Sequence, residues 1–178
     1  MFNNEGVFQG GWFIMKRTLL AVVVLLSLCH SIAWAHWMPR EEMYVGGVGA
    51  GCTLEYVTSI YGEPQEKRWF NTAGVRGVTY IYSDAFSITG RTGKDDLRQE
   101  EELLVVGFSL KDNSLATPNG LTVGMPYETV SAMFGSVDKH TIGGRTFYSY
   151  GAPNSAVELT FYVNDKGIIT EIYEGTEF

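Results

Sequence analysis

Apolar side chains recur along this chain with two periods, and the change from one to the other happens twice. At Val57, Ile60 and Tyr61, and again at Val130, Met133 and Phe134, they stand at i, i+3 and i+4, which is the stripe of a short amphipathic helix. Thr53 suits the N-cap of the first helix and Pro126 the first turn of the second, where its missing N–H is no loss. Gly62 and Gly135 close the two helices at the left-handed position.

After each stripe the pattern alternates, as strands do. Residues 146–150 (TFYSY), 157–163 (VELTFYV) and 168–174 (IITEIYE) predict three strands after the second helix, with a hairpin turn over 164–167. Residues 78–82, 85–89 and 102–110 predict the same order after the first, with residues 90–101 forming a charged hairpin extension. The expected fold class is α+β: two tandem repeats, 36–111 and 112–178, each a short helix plus about three antiparallel strands. Neither repeat can bury a helix and a sheet alone, so both helices are expected on one face of a single curved antiparallel sheet. Residues 111–120 (KDNSLATPNG) carry the turn formers of a linker.

The repeat is visible without a gap when residues 47–62 (GVGAGCTLEYVTSIYG) are laid over 120–135 (GLTVGMPYETVSAMFG). Gly47 falls on Gly120, Gly51 on Gly124, Glu55 on Glu128, Val57 on Val130 and Gly62 on Gly135. The glycines at 46–51 invite comparison with a nucleotide loop. A dinucleotide fingerprint, however, needs G-x-G-x-x-G between a strand and a helix of a parallel unit; here Cys52 stands at the third glycine and antiparallel hairpins follow. No Lys with Ser or Thr completes a phosphate loop either.

Composition adds a compartment. Met15, Lys16 and Arg17, an apolar run over 19–28, and Ala33-Trp34-Ala35 predict a leader and signal peptide over residues 1–35, with translation starting at Met15 and cleavage after Ala35. Leu28 stands before Cys29 where a lipobox wants a small residue, so a lipid anchor is not expected. The mature chain has no transmembrane segment by this reading, and it is expected in a periplasmic or secreted location. Of 13 basic and 20 acidic residues, removal of Lys16, Arg17 and Glu5 leaves 11 and 19, a net charge of −8. That balance argues against nucleic acid. Cys52 is then the one remaining cysteine, which allows no intramolecular disulfide and suits a small core hydrophobe.

The pattern G-[VL]-x-x-G-x-x-x-E-x-V-x-x-[IM]-[YF]-G, followed by a Tyr-rich strand and a hairpin, occurs twice between residues 44 and 173. In this it resembles the beta-lactamase inhibitory protein (BLIP)-like fold, shared by small exported and lipoprotein domains of the SmpA/OmlA outer-membrane assembly type. The resemblance implies a non-enzymatic protein, of a group in which some members bind other proteins across a concave, aromatic and polar sheet. The chain departs from the inhibitory proteins in lacking their disulfides, and from the lipoproteins in its expected lack of a lipidated cysteine.

Candidate chemistry is sparse. His36 and His140 have no Cys or carboxylate at metal-ligand spacing, and no G-x-S-x-G elbow exists. Asp95, Asp96, Glu100, Glu101 and Glu102 lack calcium-loop spacing and are expected at a solvated hairpin tip beside Lys94 and Arg98. No catalytic residue, metal site or cofactor is therefore expected. The remaining signal is aromatic. Tyr80 with Tyr82, and Tyr148 with Tyr150, stand two apart and share a sheet face, which is either the open face or the core. In the last hairpin Leu159, Phe161 and Val163 suit the covered face, which leaves Tyr162 and Tyr173 exposed. These six tyrosines are the candidate partner-binding residues. The expected function is an exported protein-binding module, inhibitor-like in one form. The alternatives are a cell-envelope structural or assembly factor and a small-ligand-binding protein, so the partner is a protein or an envelope component.

Overall fold

The computed structural model describes residues 37–72 and 74–176. The expected leader over 1–35, with Met15 and Cys29, and His36 lie outside the described residues. The described residues form one compact unit. Two helices, α1 (Leu54–Tyr61) and α2 (Tyr127–Phe134), accompany eight strands: β1 (Glu66–Thr72), β2 (Val75–Ile81), β3 (Phe86–Gly93), β4 (Leu104–Leu110), β5 (His140–Ile142), β6 (Arg145–Gly151), β7 (Val157–Val163) and β8 (Ile169–Thr176). All pair antiparallel in one sheet of order β1-β2-β3-β4-β8-β7-β6-β5. Each helix is followed by a four-strand meander rather than three strands, and the meanders meet at β4 and β8. That seam is short: Phe108, Ser109 and Leu110 pair with Glu174, Tyr173 and Ile172.

The helices begin and end for local reasons. Thr53 accepts a hydrogen bond from Tyr56 N at 3.2 Å and caps α1. Pro126 sits one residue earlier than expected, as the extended N-cap of α2, and makes no side-chain cap. The core side of α1 is Leu54, Val57 and Tyr61, and that of α2 is Tyr127, Val130 and Phe134. Ile60 and Met133 turn outward and are 43% and 46% exposed, so the buried stripe steps i, i+3, i+7 instead of i, i+3, i+4.

Both helix approaches are tied to the last strand of their own meander by the same three hydrogen bonds. Gly51 N, Val105 N and Leu54 N donate to Val105 O, Cys52 O and Leu103 O at 2.9, 2.8 and 3.0 Å. Gly124 N, Ile169 N and Tyr127 N donate to Ile169 O, Met125 O and Gly167 O at 2.8, 2.9 and 2.9 Å. Gly51 and Gly124 reach these positions at φ +94° and +92°, a conformation in which a side chain is strained. This explains which glycines of the aligned stretches match. Gly47 and Gly120 also have positive φ, whereas Gly49, aligned with Thr122, does not.

One register row crosses the six inner strands through Tyr80, Ile88, Phe108, Glu174, Leu159 and Tyr150, and each of these six residues is buried. Both helices cover this face. Leu54 lies so close to Gly90 that a Cβ there would come within 2.8 Å of its side chain, and Tyr127 stacks on Tyr148 at 3.6 Å between ring centres. Residues with the opposite parity form a second face that neither helix covers.

Candidate functional site

The open face is built by alternation. Because Tyr80, Ile88, Phe108, Leu159 and Tyr150 point into the core, their strand neighbours Thr79, Ser87, Thr89, Ser109, Thr160 and Ser149 must point out. They give the face a hydroxyl-rich middle. Thr79 and Thr89 share a hydrogen bond at 3.0 Å in one meander, and Ser149 and Thr160 share one at 2.8 Å in the other. Its floor at the seam is glycine: a Cβ on Gly107 would collide with the carbonyl oxygen of Glu174, so the two central strands leave no room for a side chain there.

Four aromatic rings rise from this floor. Tyr173 bends over Gly175, where a Cβ would lie 2.7 Å from the ring, and Phe70 lies across Gly77, where a Cβ would lie 2.5 Å from Cζ. Phe147 packs against Tyr162 at 5.3 Å, with His140 stacked beyond it at 5.5 Å. The guanidinium of Arg145 lies over the Tyr162 ring, 3.6 Å from its centre, and pairs with Glu171, which also accepts from Ser109 Oγ at 2.7 Å. Tyr162 thus contacts both an aromatic ring and a cation.

Two depressions flank Tyr173. One, of about 230 Å³, is lined by Phe70, Thr89, Arg91, Gly107, Ser109 and Tyr173 among others; the second, of about 220 Å³, by Phe147, Ser149, Glu158, Thr160, Tyr162 and Tyr173. Gly175 belongs to both. Burial pushes the Tyr173 phenol above its ordinary value, helped by Tyr162 and Glu171. Burial pulls the Arg91 guanidinium down.

The structure divides the six candidate tyrosines. Tyr162 and Tyr173 share the open face with the depressions, and Tyr173 is 42% exposed. Tyr80 and Tyr150 are 2% and 0% exposed in the core, and Tyr82 and Tyr148 share their parity, half-buried against it. These four do not line the open face. Tyr150 OH donates to Gly135 O at 2.7 Å and shares a hydrogen bond with Tyr127 OH at 2.9 Å; Tyr80 OH donates to Glu100, which also pairs with Lys67 at 2.9 Å. Burial raises all four candidates whose shifts are resolved here, Tyr80, Tyr150, Tyr173 and Tyr82, the last to about 12.

Several open-face residues escaped sequence reasoning: Phe70, Arg91, Arg145 and Phe147. Parity held the signal for Phe147, since with Tyr148 and Tyr150 inside it must face out. His140 is in β5 on this face. The acidic run is only partly a solvated tip. Asp96 accepts from Thr92 Oγ1 at 2.8 Å, and the Arg76 guanidinium donates to the carbonyls of Asp96 and Arg98 at 2.8 and 2.6 Å. Cys52 is half-buried against the core. Among the described residues no three His, Cys, Asp or Glu side chains gather as a metal site requires, and no helix is long and apolar enough to cross a membrane.

No protein-family model and no curated protein matches the sequence. Among solved structures, the fold is similar to an extracellular SCP-domain protein of Bacillus anthracis (13% identity, TM-score 0.45, 71% of this chain and 44% of that one). It is also similar to a DUF4309 family protein of Bacillus subtilis (14%, 0.42, 80% and 88%) and to a provisional beta-lactamase inhibitor protein of Streptococcus mutans (13%, 0.28, 79% and 91%). A cysteine-rich secretory protein of Staphylococcus aureus matches at 11% identity and a TM-score of 0.48, over 78% of this chain and 48% of that one. The chain spans less than half the length of this protein and of the Bacillus anthracis one. These are likenesses at low identity, with TM-scores below 0.5, and they assign neither a family nor an activity.

Proposed function

We propose that residues 36–178 form an exported, non-enzymatic domain that binds another protein through the open face of its sheet. Tyr162 and Tyr173 are its central contacts. The observation that carries this reading is the pair of depressions on either side of Tyr173, on a helix-free face with four ordered aromatic rings and a hydroxyl-rich centre. Aromatic anchors that are fixed before binding lose little side-chain freedom on association, and such residues carry most of the energy of protein interfaces. In this reading the leader directs export, and the domain is a duplication of one unit of helix and meander. The duplication is supported by the matching glycines and the twice-repeated hydrogen bonds at the helix starts.

A small-ligand role is less well supported. The depressions are open and measure about 230 and 220 Å³, smaller than the roughly 300–1,000 Å³ pockets that bury a ligand. An envelope-assembly role uses the same face and differs in the partner, which would be membrane-associated. Affinity capture with residues 36–178 from secreted and envelope fractions of the source organism separates these readings. One protein retained by the wild type and lost with the double variant Tyr162→Ala/Tyr173→Ala is the expected result. Failure of folded bait to retain any protein would sink the proposal.

A further inference from the structure

The row of buried residues that crosses the sheet contains one carboxyl. Glu174 is 0% exposed and pairs with Phe108 across the seam and with Leu159 on its other side. Oε1 accepts a hydrogen bond from Ala50 N at 3.1 Å, in the glycine-rich loop before α1, and Oε2 has no hydrogen-bond partner. A carboxylate in this place would be a buried charge with one donor, whereas the neutral acid leaves only one polar hydrogen unsatisfied. The groups packed around it do little to change that balance. Arg40, in the 3-10 turn Arg40–Met43, favours the charged form, while Glu42 of the same turn reaches instead towards Asn119 N at 3.3 Å. Phe108 and Leu159 carry no charge. The Tyr173 phenol, next along the strand, is itself raised in part by Glu174. The net effect of burial, against the Ala50 hydrogen bond and Arg40, is to push the Glu174 carboxyl up to about 8.

The position of this residue gives the proton a consequence. Tyr173 and Gly175 are the two residues that line both depressions, and Glu174 stands between them with its side chain on the opposite side of the sheet. The seam it belongs to is held by three residue pairs. A side chain that leaves the core must turn its own backbone, and the room for that is small, because the Gly107 backbone lies so near that a Cβ there would come within 2.2 Å of the Glu174 carbonyl oxygen.

We propose that Glu174 is a proton-operated latch on the open face: protonated, it seats residues 173–175 on the seam and anchors the loop at Ala50; ionised, it releases both and unseats Tyr173. Binding by that face then weakens as the latch opens. This consequence rests on the open face being the binding surface, but the latch itself does not.

The sign follows from linkage. The carboxyl titrates at an ordinary 4.5 when unfolded and at about 8 when folded, so its contribution to stability is complete below 4.5 and is lost as pH rises to about 8. Carboxyl-labelled glutamate NMR of the wild type between pH 4 and pH 9, with the Ala50 amide and the Tyr173 ring followed together, tests the latch without a partner. The expected result is one shared midpoint near 8 for all three. In Glu174→Gln, which keeps an acceptor for Ala50 N, neither Ala50 nor Tyr173 should show that midpoint. A Glu174 midpoint in the ordinary carboxylate range overturns the proposal, and so does a Tyr173 ring that stays still while Ala50 titrates. If Glu174→Gln does not fold, the wild-type titration decides alone. Because no partner enters the measurement, failure of the latch and failure of the binding reading are separate results.

Discussion

Tyr150 and Tyr162 are the same residue type on adjacent strands of one meander, yet they do opposite work. Tyr150 fills the core and uses its hydroxyl to bond Gly135 O and Tyr127 OH, which fixes α2 at both its first residue and its cap. Tyr150→Phe removes both bonds from a buried site and should cost about 1–3 kcal/mol in chemical denaturation. Tyr162→Ala on the open face should cost much less, because the ring is not part of the core. Alternation alone shows that Tyr148 and Tyr150 share a face with each other, but which face depends on register with β7. That register is set by residues distant in sequence, such as Leu159 and Phe161, whose own inward direction was readable from the last hairpin. Glu174 was harder still: in IITEIYE it reads as a polar end of a strand, and nothing local shows that the seam and the 44–51 loop will enclose it.

At the scale of elements, glycine decides where strands and helices can touch. Gly107 lets β4 approach β8, and Gly90 lets Leu54 of α1 seat on β3. Gly107→Ala should lower stability by about 1–3 kcal/mol, since the obstacle is backbone that cannot rotate away. A smaller loss is expected for Gly90→Ala, where the Leu54 side chain can shift. Comparison of urea midpoints for the two variants checks the order, and equal losses would argue against a rigid seam. Both helices and six strands were legible because their apolar periods are regular. β1 and β5 were not. β1 (EKRWFNT) is a charged edge strand with Trp69 56% exposed, and charge is what keeps such an edge from pairing with other chains, so it erases the alternation that would reveal it. β5 has three residues, all exposed, too few for any period.

Over the whole molecule, the two meanders join into one sheet whose covered face is apolar and whose free face is mixed. The charge is distributed unevenly. Residues 36–178 carry 11 basic and 19 acidic side chains, yet the described residues of the open face balance Arg68, Arg91 and Arg145 against Glu66, Glu158 and Glu171. Arg68 pairs with Glu66 at 2.6 Å and Arg145 with Glu171, so most of this charge is already matched within the face. Association through it should therefore depend weakly on salt, with a change in Kd of less than about threefold from 0.05 to 0.5 M, as expected where opposed charges cancel. A steep salt dependence would point to the acidic remainder of the surface instead.

The most direct test of the central claim is calorimetric titration of the captured partner with the wild type, with Tyr162→Ala/Tyr173→Ala, and with Tyr56→Ala, which removes an exposed ring from α1 on the covered side. Loss of two anchors at the centre of an interface should weaken binding by about 100-fold or more, while Tyr56→Ala should leave Kd within about twofold. Equal affinity of the double variant and the wild type, with both shown to be folded, would contradict the assignment of binding to the open face.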